Sequence, residues 1–259
     1  MVYSYTQISQ YLRCPRSYRF RYLDGWREKE TRAAMVFGRC FEKALGAYFC
    51  QDDSAAVLFK EWDAYRDAPF EYRKGESWDR LFHQGVHLLE AFARDNRVRI
   101  SSPKKNLQIK MLRTLSGGSE FVAYLDALGE VDGQHCLIDW KTTTSRYSTE
   151  PEGLLSLDPQ LICYSWISGI SEVALVVFVR KHAPEIQYLR GSISEEQRQE
   201  FGAPCGGNDR PDRSGSVCFA QPYPLPPKRL PELPTSRALF EQPPVSRHKS
   251  RAQGRSERP

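Results

Sequence analysis

The sequence predicts an α/β protein: a mixed central sheet flanked by helices, with a helical N-terminal part and a disordered C-terminal tail. Three observations carry this expectation. Apolar residues recur at the helical period through much of the first hundred residues. From Leu107 to Ile193 the pattern changes to strand-like runs, interrupted once by a helix. After Gly202 neither period survives, because eleven of the seventeen prolines lie there, beside Gly206, Gly207 and Gly215. The expected division is a folded domain over 1–201 and a Pro/Arg-rich tail over 202–259.

The elements follow in order. TQISQYL forms a short helix that ends at Cys14 before Pro15. RSYRFRYL comes next, with Tyr18 and Tyr22 four residues apart on one face. A longer helix runs from about Arg32 to Tyr48, its apolar stripe made by Val36, Phe37, Phe41, Ala44, Leu45 and Tyr48. Two further helices cover Ser54–Arg66 and Ser77–Arg94. LQIKMLRTL alternates as a strand and turns at Gly117-Gly118. FVAYLDALGEV is the second strand, Asp132-Gly133 the hairpin turn, and HCLIDWKT the third strand. Asp158–Ile167 is a helix with Pro159 in its first turn. VALVVFVRK is a buried strand, EIQYLRGSI extends the sheet, and a last helix closes the domain.

Charge and composition exclude several classes. The chain has 259 residues and a net charge of +5. The tail holds ten Lys or Arg and five acids, so residues 1–201 balance at 27 basic and 27 acidic residues. A uniformly basic nucleic-acid binder is excluded, and any DNA contact by the body needs local patches. The apolar run Val173–Val179 is far too short to span a bilayer, and MVYSYTQ is not a secretory signal. Seven scattered cysteines do not form a disulfide framework. A cytoplasmic protein without membrane contact is expected.

Two acids and a lysine stand out by position. Asp126 interrupts the apolar residues of the second strand. Asp139 and Lys141, two apart at the end of the third strand, share a face. The hairpin brings Asp126 near Asp139, and two adjacent carboxylates repel unless a cation lies between them. Hard oxygen ligands suit Mg²⁺ or Mn²⁺ rather than zinc. A lysine beside that cation can position or activate an attacking water. A [DE]-x-K triplet by itself also reads as a surface ion pair at a strand end. The mixture of Arg13, Arg16, Tyr18, Arg19, Arg21 and Tyr22 suits phosphate contact and base stacking, with Arg13, Arg16 and Arg19 as candidate DNA-binding residues. The bland alternative is core tyrosines and solvated arginines. His83 and His87 have zinc-like spacing without a third ligand.

Together these blocks resemble the PD-(D/E)XK nuclease superfamily, most closely its RecB-like branch. SYTQISQYLRCPRSYRFRYLDGW is similar to that branch's N-terminal segment, and GRCFEKAL to its G-x-x-x-H-x-x-L helix through Gly38 and Leu45. YLDALGEVDG and LIDWKTT resemble its two strand motifs, and PQLICYSW its Q-x-x-x-Y helix. The resemblance implies Asp126 and Asp139 as metal ligands and Lys141 as the residue that handles water and phosphorane charge. It implies that Gln160 and Tyr164 support the lysine side and contact the DNA backbone. Glu42 falls where the family has a metal-binding histidine, and a carboxylate serves Mg²⁺ well; the alternative is a solvated acid paired with Lys43 or Arg39. The implied activity is a metal-dependent deoxyribonuclease that leaves 5′-phosphates and acts in repair, recombination or defence. The substrate would be single-stranded DNA or duplex ends. With no motor motif in the chain, a helicase would act in trans. The rival reading is a non-catalytic DNA-binding or scaffold module that keeps the fold.

Iron–sulfur members of that branch place their first cluster ligand at the position of Cys14. Their other three cysteines have no counterpart here, since Cys205 and Cys218 are thirteen apart, so Cys14 is a remnant and no [4Fe–4S] cluster is expected. Cys40, Cys50, Cys136 and Cys163 read as buried small hydrophobes. A one-base-shifted reading of the tail would turn Leu230, Leu233 and Leu239 into cysteines at the missing spacing. Frameshift is therefore the expected origin of the tail.

Overall fold

A computed structural model describes residues 2–28, 31–115, 118–147, 155–202 and 240–241. The expected turn residue Gly117 and nearly all of the tail, with its proposed frameshift, lie outside the described residues.

The N-terminal segment is more finely divided than its sequence suggests. Val2–Ser4 is a short strand, β1. Ser4 then caps helix α1, Tyr5–Arg13: its hydroxyl accepts from the Gln7 N–H while Gln7 Oε1 accepts from the Ser4 N–H, satisfying two end donors reciprocally. Cys14 ends α1, and its sulfur accepts from the Ser17 N–H to start α2, Pro15–Tyr18. Arg19–Leu23 winds as a π-helical turn, with the Asp24 N–H reaching back to the Arg19 carbonyl. Arg27–Glu28 forms β2 and pairs antiparallel with β11, Phe240–Glu241. Thr31–Arg32, β3, lies parallel to β4, Phe70–Glu71.

The helical layer matches the expected periods within a few residues. Helix α3 is Ala33–Phe49, α4 is Ser54–Asp63 and α5 is Trp78–Asp95. Asp53 and Ser77 cap α4 and α5 through their side-chain oxygens. Asn96 ends α5 in the left-handed region, where asparagine is tolerated better than most residues. Pro103–Asn106 is a single turn, α6.

The sheet has seven strands. β5 is Val98–Arg99, β6 Leu107–Thr114, β7 Glu120–Val131, β8 Gln134–Thr143, β9 Glu172–Val179 and β10 Glu185–Ser192. The main path runs β1-β7-β8-β9-β10, with β5 and β6 along the other edge of β7. Asp132 and Gly133 both have positive φ, as the tight β7–β8 turn requires. Strands β8 and β9 are parallel and are joined by a crossover that carries α7, Pro159–Ser168; a last helix, α8, is Glu195–Gly202.

Two cores cover the two sheet faces. On one, α3, α4 and α5 bury Phe37, Phe41, Trp62 and Phe92 against Ile138, Trp140, Val176 and Phe178. On the other, α7 buries Leu161, Cys163 and Tyr164 against Phe121, Leu125, Val177 and Val179, with Tyr5 and Ile8 of α1 alongside. Among the cysteines Cys40, Cys136 and Cys163 are buried as expected, but Cys50 is exposed. It sits just past α3, beyond the turn that its apolar stripe holds against the sheet.

Candidate active site

Strands β7 and β8 share a ladder only from Ala127 opposite Ile138 to Val131 opposite Gln134. Beyond Ile138, β8 continues along β9, while β7 continues between β6 and β1. The two strands fork there, and Asp126 and Asp139 are the first residues on each side of the fork.

At this point β7 also changes faces. Phe121, Ala123 and Leu125 join the α7 core, whereas Ala127 and Val131 join the α3–α5 core. A strict period of two would keep all five on one side, so β7 changes faces between Leu125 and Ala127, at Asp126. Asp126 lies close enough to Glu42 of α3 for the Glu42 charge to act on its carboxyl. Its Oδ2 accepts from the Trp140 N–H at 2.9 Å. Gly38 lets α3 come this close, since a Cβ there would stand 3.2 Å from Thr142 Oγ1.

Asp139 points to the other face. It is 2% exposed, and Lys141 Nζ lies 2.6 Å from its Oδ2. Gln160, in the first turn of α7, places its amide nitrogen 3.3 Å from Asp139 Oδ1 and 2.7 Å from the Tyr164 hydroxyl. Asp158 fixes that turn by accepting from the Gln160 and Leu161 N–H groups. Tyr164 is buried, and its hydroxyl accepts from the Gln160 amide, bracing that side chain.

The charges are poised. Burial, then the charge of Glu42, pushes the Asp126 carboxyl up to about 7. Burial pushes Asp139 up to about 7 as well, against the pull of Lys141 and with the help of Asp126. Burial alone would lower the Lys141 ammonium, but Asp139, Asp126 and Asp158 together hold it above its ordinary value. Lys141 is therefore a cation at neutral pH.

A cavity of about 800 Å³ opens between the N-terminal segment and α3 and reaches Glu42 and Lys141. Arg21, Arg27 and Arg39 line it, together with Trp26 and the exposed Met35. Arg27 also donates to the Arg21 and Trp26 carbonyls, which ties it to its own turn. Arg13, Arg16 and Arg19 are exposed but do not line this cavity. Arg16 lies over the Phe20 ring and Arg19 pairs with Asp24 at 3.5 Å. Cys14 is exposed and serves as the α2 cap. His83 and His87 are exposed on α5, and among the described residues no group of three His, Cys, Asp or Glu stands together as a metal cage. No helix among the described residues is long and apolar enough to cross a membrane.

The family model of the PD-(D/E)XK nuclease superfamily matches residues 2–188. No curated protein matches the chain. Among solved structures, one described as "Putative exonuclease" from Eubacterium rectale is 14% identical, covers 76% of this chain and 74% of its own, and has a TM-score of 0.48. Another, SSO0001, is 18% identical, covers 69% of this chain and 76% of its own, and has a TM-score of 0.27. The family match takes in the fork, both of its acids, Lys141 and the helix that carries Gln160. The chain belongs to the PD-(D/E)XK nuclease superfamily.

Proposed function

We propose that this chain is a metal-dependent deoxyribonuclease of RecB-like type, cleaving DNA phosphodiester bonds at the β7–β8 fork. The observation that supports the reading is the Asp139–Lys141 contact beside the fork, with Asp126 next to Glu42 and an arginine-lined cavity that reaches Glu42 and Lys141.

The residues present fit a hard divalent cation. Asp126 and Glu42 crowd two carboxyls together, and Asp139 Oδ2 is buried beside Lys141 with no regular hydrogen bond among the described residues. Lys141 already meets the Asp139 oxygen, but the paired carboxyls of Asp126 and Glu42 are costly unless a cation or proton lies between them. The want of a three-residue cage is no obstacle, because Mg²⁺ commonly keeps several waters and takes one or two carboxylates. Asp126 and Asp139, with Glu42 on the α3 side, would hold Mg²⁺ or Mn²⁺. Such a cation supplies charge stabilisation at the phosphate and makes a bound water more acidic.

The chain's own residues do the rest. Lys141 stays protonated, so it donates to the attacking water or a non-bridging phosphate oxygen and offsets the charge that grows in the transition state. Its role is that of a fixed cation more than of a base. Gln160, braced by Tyr164, holds Asp139 Oδ1 and leaves Oδ2 turned to Lys141. Arg21 and Arg39 meet backbone phosphates in the cavity, while Trp26 and Met35 offer an apolar surface to bases. Repair, recombination or defence is the fitting context, with a helicase supplied by another protein.

The test is cleavage of end-labelled single- and double-stranded DNA in Mn²⁺. Asp139→Ala should abolish cleavage and keep DNA binding. Equal cleavage by the variant would remove the enzymatic reading in favour of a binding module.

A further inference from the structure

We infer that Gln108 is a positioning residue that holds Glu42 in the metal site; the inference rests on the metal-site reading above. It starts from a register. Leu107 pairs with Ala127 and Ile109 with Leu125, which sets Gln108 level with Asp126 on the neighbouring strand. Leu107 packs on the α3–α5 core, yet Ile109 and Met111 pack on the α7 core. Strand β6 therefore switches faces at Gln108, beside the place where β7 switches at Asp126.

The switch is made by the backbone of Gln108, which has φ +50°. That is left-handed territory, uncommon for any residue but glycine and less natural for glutamine than for asparagine or aspartate. Strain of this kind persists only where surrounding contacts enforce it, and it collects at functional sites. Here the exposed side chain reaches the site: Gln108 Nε2 donates to Glu42 Oε1.

The consequence concerns Glu42. It is half-buried on α3, and the Asp126 carboxyl beside it would repel it once both ionise. An amide donor on Oε1 offsets that repulsion, fixes the carboxylate rotamer and leaves the second oxygen for the cation. A hydrogen-bonding partner behind a metal ligand typically governs affinity by about 10–100-fold. The occupant is a hard divalent cation, and Gln108 acts on it only through Glu42.

The decisive variant is Gln108→Gly, because glycine accepts a positive φ without strain and removes only the amide. Mn²⁺ is titrated calorimetrically into the full chain. The expected result is at least about tenfold weaker Mn²⁺ binding, with the metal-free melting temperature unchanged or raised. In a Glu42→Ala background the same substitution should leave Mn²⁺ affinity unchanged, since the partner is gone. The inference is overturned if Gln108→Gly binds Mn²⁺ like the wild type, or loses the same factor without Glu42, or loses affinity only in step with melting temperature. Wild-type protein that binds no Mn²⁺ overturns the site reading itself and this inference with it, a result distinguishable from the others.

Discussion

Trp140 donates its backbone N–H to the side chain of Asp126 at the point where β8 leaves β7. A carboxylate oxygen thus stands where a strand carbonyl would have been, so one residue both finishes the ladder and opens the fork. The two roles separate on substitution. Asp126→Asn keeps an oxygen for the Trp140 N–H, whereas Asp126→Ala leaves that donor without an acceptor. Both should lose Mn²⁺ binding, but Asp126→Ala should be less stable than Asp126→Asn by about 1–3 kcal/mol. Chemical denaturation of the two variants side by side measures the difference; equal stability would deny the ladder role.

The pH dependence has a definite sign. Asp126 and Asp139 are both raised from 3.8 to about 7 in the folded chain. Between pH 4 and 7 the folded state therefore holds more protons than the unfolded one, and stability falls as pH rises. Their contribution is complete below about pH 4 and lost by about pH 7. Metal-free protein should lose stability across that window relative to an Asp126→Asn, Asp139→Asn double variant. Added Mg²⁺ should raise the melting temperature more at pH 8 than at pH 5, where protons compete for the same oxygens. A window of the opposite slope would contradict the burial of these carboxyls.

Much of this site was legible in the residues because its signals are local. The stripe of α3 and the alternation of Asp139, Trp140 and Lys141 need only a period to be read. Glu42 came from a block resemblance, and the structure sets it beside Asp126. What could not be read depends on departures from a period. Val2–Ser4 is too short to announce a strand. The change of face at Asp126 and the positive φ of Gln108 each break the alternation, and neither residue is a glycine that would flag it. The arginines show the same effect. Cys14 interrupts the first helix and the turn after Tyr18 widens to a π-helix, so helical spacing misassigns which side chains share a face. Arg21 thereby lines the cavity, together with Arg27 and with Arg39 from a different helix.

Lys141 offers a kinetic test. Its ammonium is held above its ordinary value by three carboxylates and lies against Asp139, so ground-state DNA gains little from it. The extra charge of the transition state gains much more. Lys141→Ala should lower kcat by about 10²-fold or more with DNA affinity nearly unchanged. Single-turnover cleavage at saturating DNA measures this, and an unchanged rate would remove Lys141 from the chemistry.

The cavity makes a prediction that separates its arginines from those outside it. Arg39 and Arg21 line it and open toward Glu42 and Lys141, whereas Arg16 is spent on Phe20 and Arg19 on Asp24. A phosphate contact releases condensed counterions, so each one lost lowers affinity and flattens the salt dependence by about one unit of slope. Arg39→Ala and Arg21→Ala should each weaken binding of a labelled single strand and reduce that slope. Arg16→Ala and Arg19→Ala should leave both unchanged. Fluorescence anisotropy over a salt series reads affinity and slope together, with Ca²⁺ present to prevent cleavage. If Arg16 and Arg19 carried the slope instead, the strand would run over the outer face of the N-terminal segment. The cavity would then not be the path by which DNA reaches the fork.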